Sequence, residues 1–360
     1  MRAMEAFTGT RPLAQPLDCA ALDAWLSAHV EGFQGPLAIE QFKGGQSNPT
    51  YLLTTPSARY VMRSKPAPAA KLLPSAHAIE REFQVMRALA GTDVPVPAML
   101  ALCEDEGVIG RAFYVMQFIP GRVLWDQSLP GMANAERAAH YDELNRVIAA
   151  LHQVDFQAVG LAAYGKPGNY FERQIGRWSK QYLASVTEPN PAMDALLAWL
   201  PTHIPASARD ESEVAIVHGD YRLDNVVFHP TEPRIIAVLD WELSTLGHPL
   251  ADFSYHCMSW HIQTSGAARG LGGVDVAALG IPSERDYVQR YCERTGRADV
   301  TAVMADWNFY LAYNLFRIAA IVQGIAKRVE DGTASSAQAR ETAKSARPLA
   351  ELAWRFAQQA

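Results

Sequence analysis

The chain is poor in the features that mark several large protein classes. Its four cysteines, Cys19, Cys103, Cys257 and Cys292, are far apart and form no C-x-x-C pair. That spacing offers neither a zinc site nor a disulfide framework, so a reducing, cytoplasmic setting is expected. An excess of positive charge is also missing. The formal net charge is −6, whereas a general nucleic-acid binder shows a basic face, so no nucleic-acid partner is expected. Residues 1–18 lack the apolar stretch of a signal peptide. The most apolar helical region, 303–326, is interrupted by Asp306, Asn308 and Arg317, the pattern of a core helix and not of a membrane span. Internal repeats and low-complexity tracts are lacking too. What is present is ordinary globular composition, 49% hydrophobic and 19% charged over 360 residues. That is enough for a sizeable core and more than one typical domain needs.

Patterning changes character along the chain. Residues 20–30 read as a short helix, and three strand-like runs follow at 37–42, 50–55 and 59–63. K-G-G-Q-S-N at 43–48 joins the first two and T-P-S joins the next, which predicts a β-meander. A helix over about 76–90 places Ile79, Phe83, Met86, Leu89 and Ala90 on one face and Glu80, Arg81, Gln84 and Arg87 on the other. Glu82 falls inside the apolar stripe. A buried carboxylate needs a cationic partner, and Arg63 ends the third strand nearby. Another strand is predicted at 112–119, closed by Pro120-Gly121. Long helical patterns then take over at about 135–153, 170–185, 192–200, 284–296, 300–328 and 335–358. The expected fold class is α+β. A small antiparallel sheet with one helix occupies 1–118, and a larger, mainly helical part occupies 119–360.

Residues 214–256 interrupt the helical part. The apolar run 214–217 delivers His218-Gly219-Asp220 to its end, and the strands 226–228 and 234–239 flank a Pro-bounded turn, H-P-T-E-P. Asn225 precedes the first of these strands and Asp240 follows the second. In an antiparallel hairpin both positions lie at the open end, with neighbouring strands about 4.8 Å apart. An amide oxygen and a carboxylate there are hard donors suited to Mg²⁺. Asp220 lies five residues before Asn225, where a carboxylate can orient a substrate hydroxyl and accept its proton. The order D-x-x-x-x-N followed by a strand-end Asp matches the protein-kinase plan, with H-G-D in place of H-R-D and D-W-E in place of D-F-G. Turn chemistry is the plainer explanation of Asp220 and Asn225, but three residues in this order would each need a separate one.

H-G-D-Y-R-L-D-N at 218–225 with V-L-D-W-E at 238–242 resembles the aminoglycoside-phosphotransferase-like kinases, the family of small-molecule kinases that includes the choline-kinase type. The likeness runs from about residue 35 onward. Stretches such as K-G-G-Q-S-N-P-T-Y-L-L and L-S-T-L-G-H-P-L-A-D-F-S-Y-H-C resemble one subgroup, which includes the phosphotransferase domain fused to certain acyl-CoA dehydrogenases.

The resemblance implies a two-lobed, protein-kinase-like fold and transfer of the γ-phosphate of ATP, or of GTP, to a hydroxyl. Asp220 then becomes the catalytic carboxylate and Asn225 and Asp240 the metal ligands. Arg222 falls where many kinases place a cation near the transferred group, the alternative being a surface pair with Asp224. Arg63 takes the place of the usual phosphate-binding lysine with Glu82 as partner, the alternative being a purely structural ion pair. Gly45, Ser47 and Asn48 belong to the implied nucleotide-covering loop, which as a motif is also an ordinary hairpin turn. The main chain at Gln117 and Ile119 is the implied adenine contact, or part of a plain buried strand. His218 and Asp252 are expected to brace the loop, His248 and His256 to be core or surface histidines, and Trp241, Trp260 and Trp307 to be core aromatics.

The acceptor is less determined. Arg173, Arg177 and Lys180 share one face of the segment 165–182, which mixes bases with aromatics. That surface suits an anionic small molecule, and the subgroup likeness points to a hydroxylated acyl-CoA. A solvated helix face is the other reading. An antibiotic phosphotransferase and a non-catalytic, nucleotide-binding pseudokinase are the rival functions. Oligomeric state leaves no mark on the sequence.

Overall fold

Short apolar-polar runs from Ala38 onward build an antiparallel sheet. The computed structural model describes residues 9–43, 48–66, 78–166, 168–264, 270–334 and 338–360. Strands β1 (Thr10–Arg11), β2 (Ala38–Phe42), β3 (Thr50–Thr54), β4 (Arg59–Ser64), β5 (Met99–Cys103) and β6 (Phe113–Gln117) form one six-stranded sheet in the order β1-β2-β3-β4-β6-β5. The expected meander is β2-β3-β4. Strand β5 was not expected, because M-L-A-L-C follows Pro95 and Pro97 and shows no clean alternation. Two-residue β1 is too short to carry a pattern.

Register decides what each face of the sheet does. Met62 lies opposite Tyr51 and Val115, so the three share one face. With Leu53 and Phe113 they bury that face against Leu22 and Leu26 of helix α1 (Cys19–His29), whose first turn is capped by Asp18. Arg63, one residue on, lies opposite Thr50 and Tyr114 on the other face. Helix α2 (Ile79–Leu89) packs against β5 and β6.

The chain forms two compact units. Met1–Leu124, Val159–Leu161 and Asp224–Ser244 make the first, and Trp125–Ala158, Ala162–Leu223 and Thr245–Ala360 make the second. The first unit therefore includes the hairpin of β8 (Val226–Phe228) and β9 (Ile235–Val238). Arg122 and Phe228 exchange both backbone hydrogen bonds at 2.8 Å, and Val238 N–H donates to Pro95 O at 2.8 Å. Gly121 permits that approach, since a Cβ there would lie 2.4 Å from Phe228 O.

The second unit is mainly helical. In chain order it holds α3 (Asn134–His152), α4 (Tyr170–Leu183), α5 (Pro191–Trp199), α6 (Pro249–Cys257), α7 (Glu284–Arg294), α8 (Val300–Ala305), α9 (Trp307–Glu330), α10 (Ala339–Ala343) and α11 (Ala346–Ala357). A single helix was expected over 300–328. It breaks at Asp306, a residue type that competes with helical hydrogen bonds and here bonds Ser207. Helix α9 is long and apolar enough to cross a membrane by composition alone. It is mostly buried, packing against α4, α6, α10 and α11 as a core helix. Strand β7 (Ala215–Val217) pairs antiparallel with β10 (Thr245–Gly247), which leads through the N-cap His248 into α6.

Candidate active site

In the first unit, β4 and β6 aim Arg63 and Tyr114 toward α2, where Glu82 faces inward with only 1% of its surface exposed. The ion pair expected from helical phase is present, with Arg63 Nε 3.3 Å from Glu82 Oε2. Tyr114 donates its hydroxyl to Glu82 Oε2 at 3.1 Å and Asn48 Nδ2 donates to Oε1 at 2.9 Å. Burial, helped by nearby Asp240, holds the Glu82 carboxyl above its ordinary range, although Arg63, Tyr114 and Asn48 oppose the shift. Burial alone would lower Arg63, but Glu82 and Asp240 hold its guanidinium firmly charged.

Arg63 also reaches the end of the hairpin. Its Nη2 lies 2.7 Å from Asp240 Oδ1 and 3.3 Å from Glu242 Oε2. Asp240 has φ +65°, a left-handed conformation that Asp tolerates better than most residues, and it starts the short turn Trp241–Leu243. At the hairpin's open end Leu239 N–H donates to Asn225 O at 2.8 Å, so Asn225 sits beside the residue that precedes Asp240. Three carboxylates thus surround one guanidinium, which leaves the group with excess negative charge. Asn225, Asp240 and Glu242 are all hard oxygen donors, the chemistry a Mg²⁺ ion takes. Among the described residues no three His, Cys, Asp or Glu side chains group as a metal cage.

In the second unit, β7 carries the chain to His218-Gly219-Asp220. Asp252 braces this loop as expected: His218 N–H donates to Oδ2 at 2.7 Å and Gly219 N–H to Oδ1 at 2.8 Å. His152 approaches Asp252 Oδ2 at 3.2 Å. Burial alone would raise the Asp252 carboxyl, but His152 and the amide of His218 hold it below the usual carboxylate range. His218 Nδ1 accepts from the amide of Asp220 at 3.2 Å, which makes that histidine architectural. The Asp220 carboxylate accepts the Tyr255 hydroxyl at 2.5 Å on Oδ1, and Arg222 Nε lies 3.2 Å from the same oxygen.

Residues 38–287 match the family model described as the phosphotransferase enzyme family. The chain belongs to that family. A crystal structure of a Ralstonia eutropha protein, provisionally described as an aminoglycoside phosphotransferase, is 64% identical, with 96% of this chain and 99% of that one covered and a TM-score of 0.86. Acyl-CoA dehydrogenase family member 10 of Mus musculus is 47% identical over 90% of this chain, which spans 29% of that protein's length. The choline kinase of Cryptosporidium parvum shares the fold alone, at 12% identity, 95% coverage of each chain and a TM-score of 0.62. The chain is thus a phosphotransferase-family member with a kinase-like α+β fold.

Within this phosphotransferase, Arg63, Glu82, Asn48 and Asp240 come together in the first unit, and Asp220 and Arg222 in the second. Asn48 spends its side-chain amide on Glu82, so its part in the site is to brace that carboxylate. Gly45 and Ser47 lie outside the described residues. Gln117 ends β6 with its N–H donated to Ala98 O at 2.9 Å, and Ile119 follows two residues on. His248 and His256 are buried and bonded, as core histidines should be. Sequence reading missed Tyr255, Glu242 and Arg317. Tyr255 lies three residues after Asp252 on one helix, where a tyrosine among apolar neighbours reads as core. Glu242 stands two residues after Asp240 in D-W-E.

Proposed function

We propose that the protein is a magnesium-dependent kinase that transfers the γ-phosphate of ATP to the hydroxyl of a small anionic molecule, a hydroxyacyl-CoA being the class best supported. The observation that carries the reading is the Asp220 carboxylate, held by side chains and presented on a loop whose backbone amides are pinned by buried Asp252. A positioned carboxylate accepts the acceptor's proton as its oxygen attacks phosphorus. Asn225 and Asp240, with Glu242 beside them, would hold magnesium, which when bound neutralises charge on the phosphates. Arg63, kept charged by Glu82, would pair with phosphate oxygens, and its planar fork suits them better than a lysine would. Arg222, nearly half exposed beside Asp220, would meet the charge that spreads over the transferred group. The main chain at Gln117 and Ile119 would take adenine.

Two facts favour an anionic acceptor. A relative at 47% identity is named as an acyl-CoA dehydrogenase family member, although this chain spans 29% of its length. Helix α4 is basic and aromatic, with Arg177 exposed over the Trp178 ring at 5.1 Å. Arg173 differs from the expectation of a free basic face, since its Nη2 donates to Lys166 O at 2.6 Å. The rival, a polycationic antibiotic, would need carboxylates at the acceptor. A cavity of about 610 Å³ in the second unit is lined by Asp210, Glu213, Asp299 and Asp306. Two of them are spent within the protein, though, Asp306 on Ser207 and Asp210 on Ser212. The other two are also engaged, Glu213 with Arg297 and Asp299 as the cap of α8.

The test is turnover with Mg-ATP on a panel of hydroxyacyl-CoAs and of aminoglycosides. Phosphorylation of the thioesters at a kcat/KM at least tenfold above the aminoglycosides is expected. The opposite ratio would assign the enzyme to antibiotic modification.

A further inference from the structure

Asp252 and Tyr255 stand three residues apart on α6, so helical geometry sets them on one face. That face meets residues 218–220 twice: Asp252 takes the amides of His218 and Gly219, and Tyr255 donates to Asp220 Oδ1. We infer that Tyr255 is a positioning residue for phosphoryl transfer, fixing the rotation of the Asp220 carboxylate so that the acceptor hydroxyl meets it in one orientation. The inference rests on the proposed role of Asp220 as proton acceptor.

The surroundings of Tyr255 suit the task. The side chain is 5% exposed, and burial pushes its phenol well above the ordinary tyrosine range, so it stays a neutral donor at any working pH. Its ring is held in turn. The guanidinium of buried Arg317 lies 5.0 Å from the ring centroid, and Arg317 Nη2 donates to Gly219 O at 2.5 Å. One cation from α9 therefore ties the Tyr255 ring to the backbone of the loop that carries Asp220. Arg317 also lies over the Trp178 ring at 5.5 Å, which limits its own movement. Arg222 addresses the same carboxylate oxygen, but its side chain is 46% exposed. An exposed ion pair is screened and holds orientation weakly, whereas a buried donor does not. Small misplacements of a reacting group carry large penalties in rate, so a fixed rotation has catalytic value.

Tyr255→Phe separates the roles, because the ring that Arg317 covers remains and the O–H alone is lost. The assay is phosphate release from Mg-ATP with water as acceptor. Loss of a hydrogen bond to a charged group should lower kcat about tenfold to a hundredfold, with the KM for ATP unchanged. In the Asp220→Ala background the same substitution should change kcat less than twofold, because Tyr255 acts through the missing carboxylate. Arg317→Lys, which loses the flat contact with the ring, should give a smaller fall in kcat that also vanishes in the Asp220→Ala background. If Asp220→Ala abolishes turnover while Tyr255→Phe runs within twofold of wild type, Asp220 keeps its role and Tyr255 has none. An equal further loss in the Asp220→Ala background would make Tyr255 a packing residue only. Wild-type turnover by Asp220→Ala would overturn both ideas.

Discussion

Arg63→Met should be among the most damaging single changes in the first unit, and the structure says why. The guanidinium touches three carboxylates, but they differ in solvation. The side chains of Asp240 and Glu242 are 34% and 23% exposed, so water replaces much of what Arg63 gives them. Glu82 is 1% exposed and has no such recourse. Removing the cation strands a buried carboxylate that Tyr114 and Asn48 only partly satisfy, and breaking a buried pair in this way costs about 3–5 kcal/mol. For a protein of this size that is a fall of roughly 4–7 °C in unfolding temperature. In Arg63→Met/Glu82→Gln the amide oxygen still accepts from Tyr114 or Asn48, and no buried charge remains. The double variant should therefore be at least about 2 kcal/mol more stable than Arg63→Met alone, read by thermal and urea unfolding of the four proteins in a cycle. A cost for Arg63→Met below about 1 kcal/mol, or a double variant as unstable as the sum of the singles, would contradict a charged, paired Glu82.

Stability should also fall steeply on mild acidification. Burial lowers both His248 and His256 to about 4. Each therefore binds a proton in the unfolded chain near pH 6.5 but not in the fold. That contribution is complete above pH 6.5 and is lost as pH falls toward 4, about 1.4 kcal/mol per unit for each histidine. Between pH 7.5 and pH 5 the two together remove about 4 kcal/mol, and a flat urea-midpoint profile over that window would refute it. Gly121→Ala should destabilise by about 1–3 kcal/mol, because its Cβ would stand 2.4 Å from both Phe228 O and Val227 Cγ1 and push the hairpin off Arg122. A wild-type unfolding temperature for that variant would mean the hairpin is not anchored there.

Local patterns in the sequence were enough for some of this and not for the rest. Glu82 was readable because a carboxylate inside an apolar stripe at helical spacing demands a partner, and Arg63 was the cation one strand away. The hairpin and its flanking Asn225 and Asp240 were readable because strand alternation and a Pro-bounded turn are local signals. Asp252 gave its place away through the family likeness. Tyr255 did not, since its meaning depends on Asp220, 35 residues earlier in the chain, and a tyrosine on an apolar helix looks like core. Arg317 stood out as a charge within a hydrophobic helix, yet nothing local says that its partners are a loop carbonyl and two aromatic rings. The division of the chain was harder still. Residues 224–244 join the first unit through Arg122 and Pro95, contacts between segments more than 100 residues apart.

The most direct measurement is the rate of phosphate transfer from γ-labelled ATP by wild type, Asp220→Ala and Asp240→Asn across a magnesium titration. Asp220→Ala should lose roughly 10²–10⁴ in kcat at saturating magnesium, and Asp240→Asn should need far more magnesium to reach half its maximal rate. Transfer that is independent of magnesium, or that survives at the wild-type rate in either variant, would contradict phosphoryl transfer at these residues.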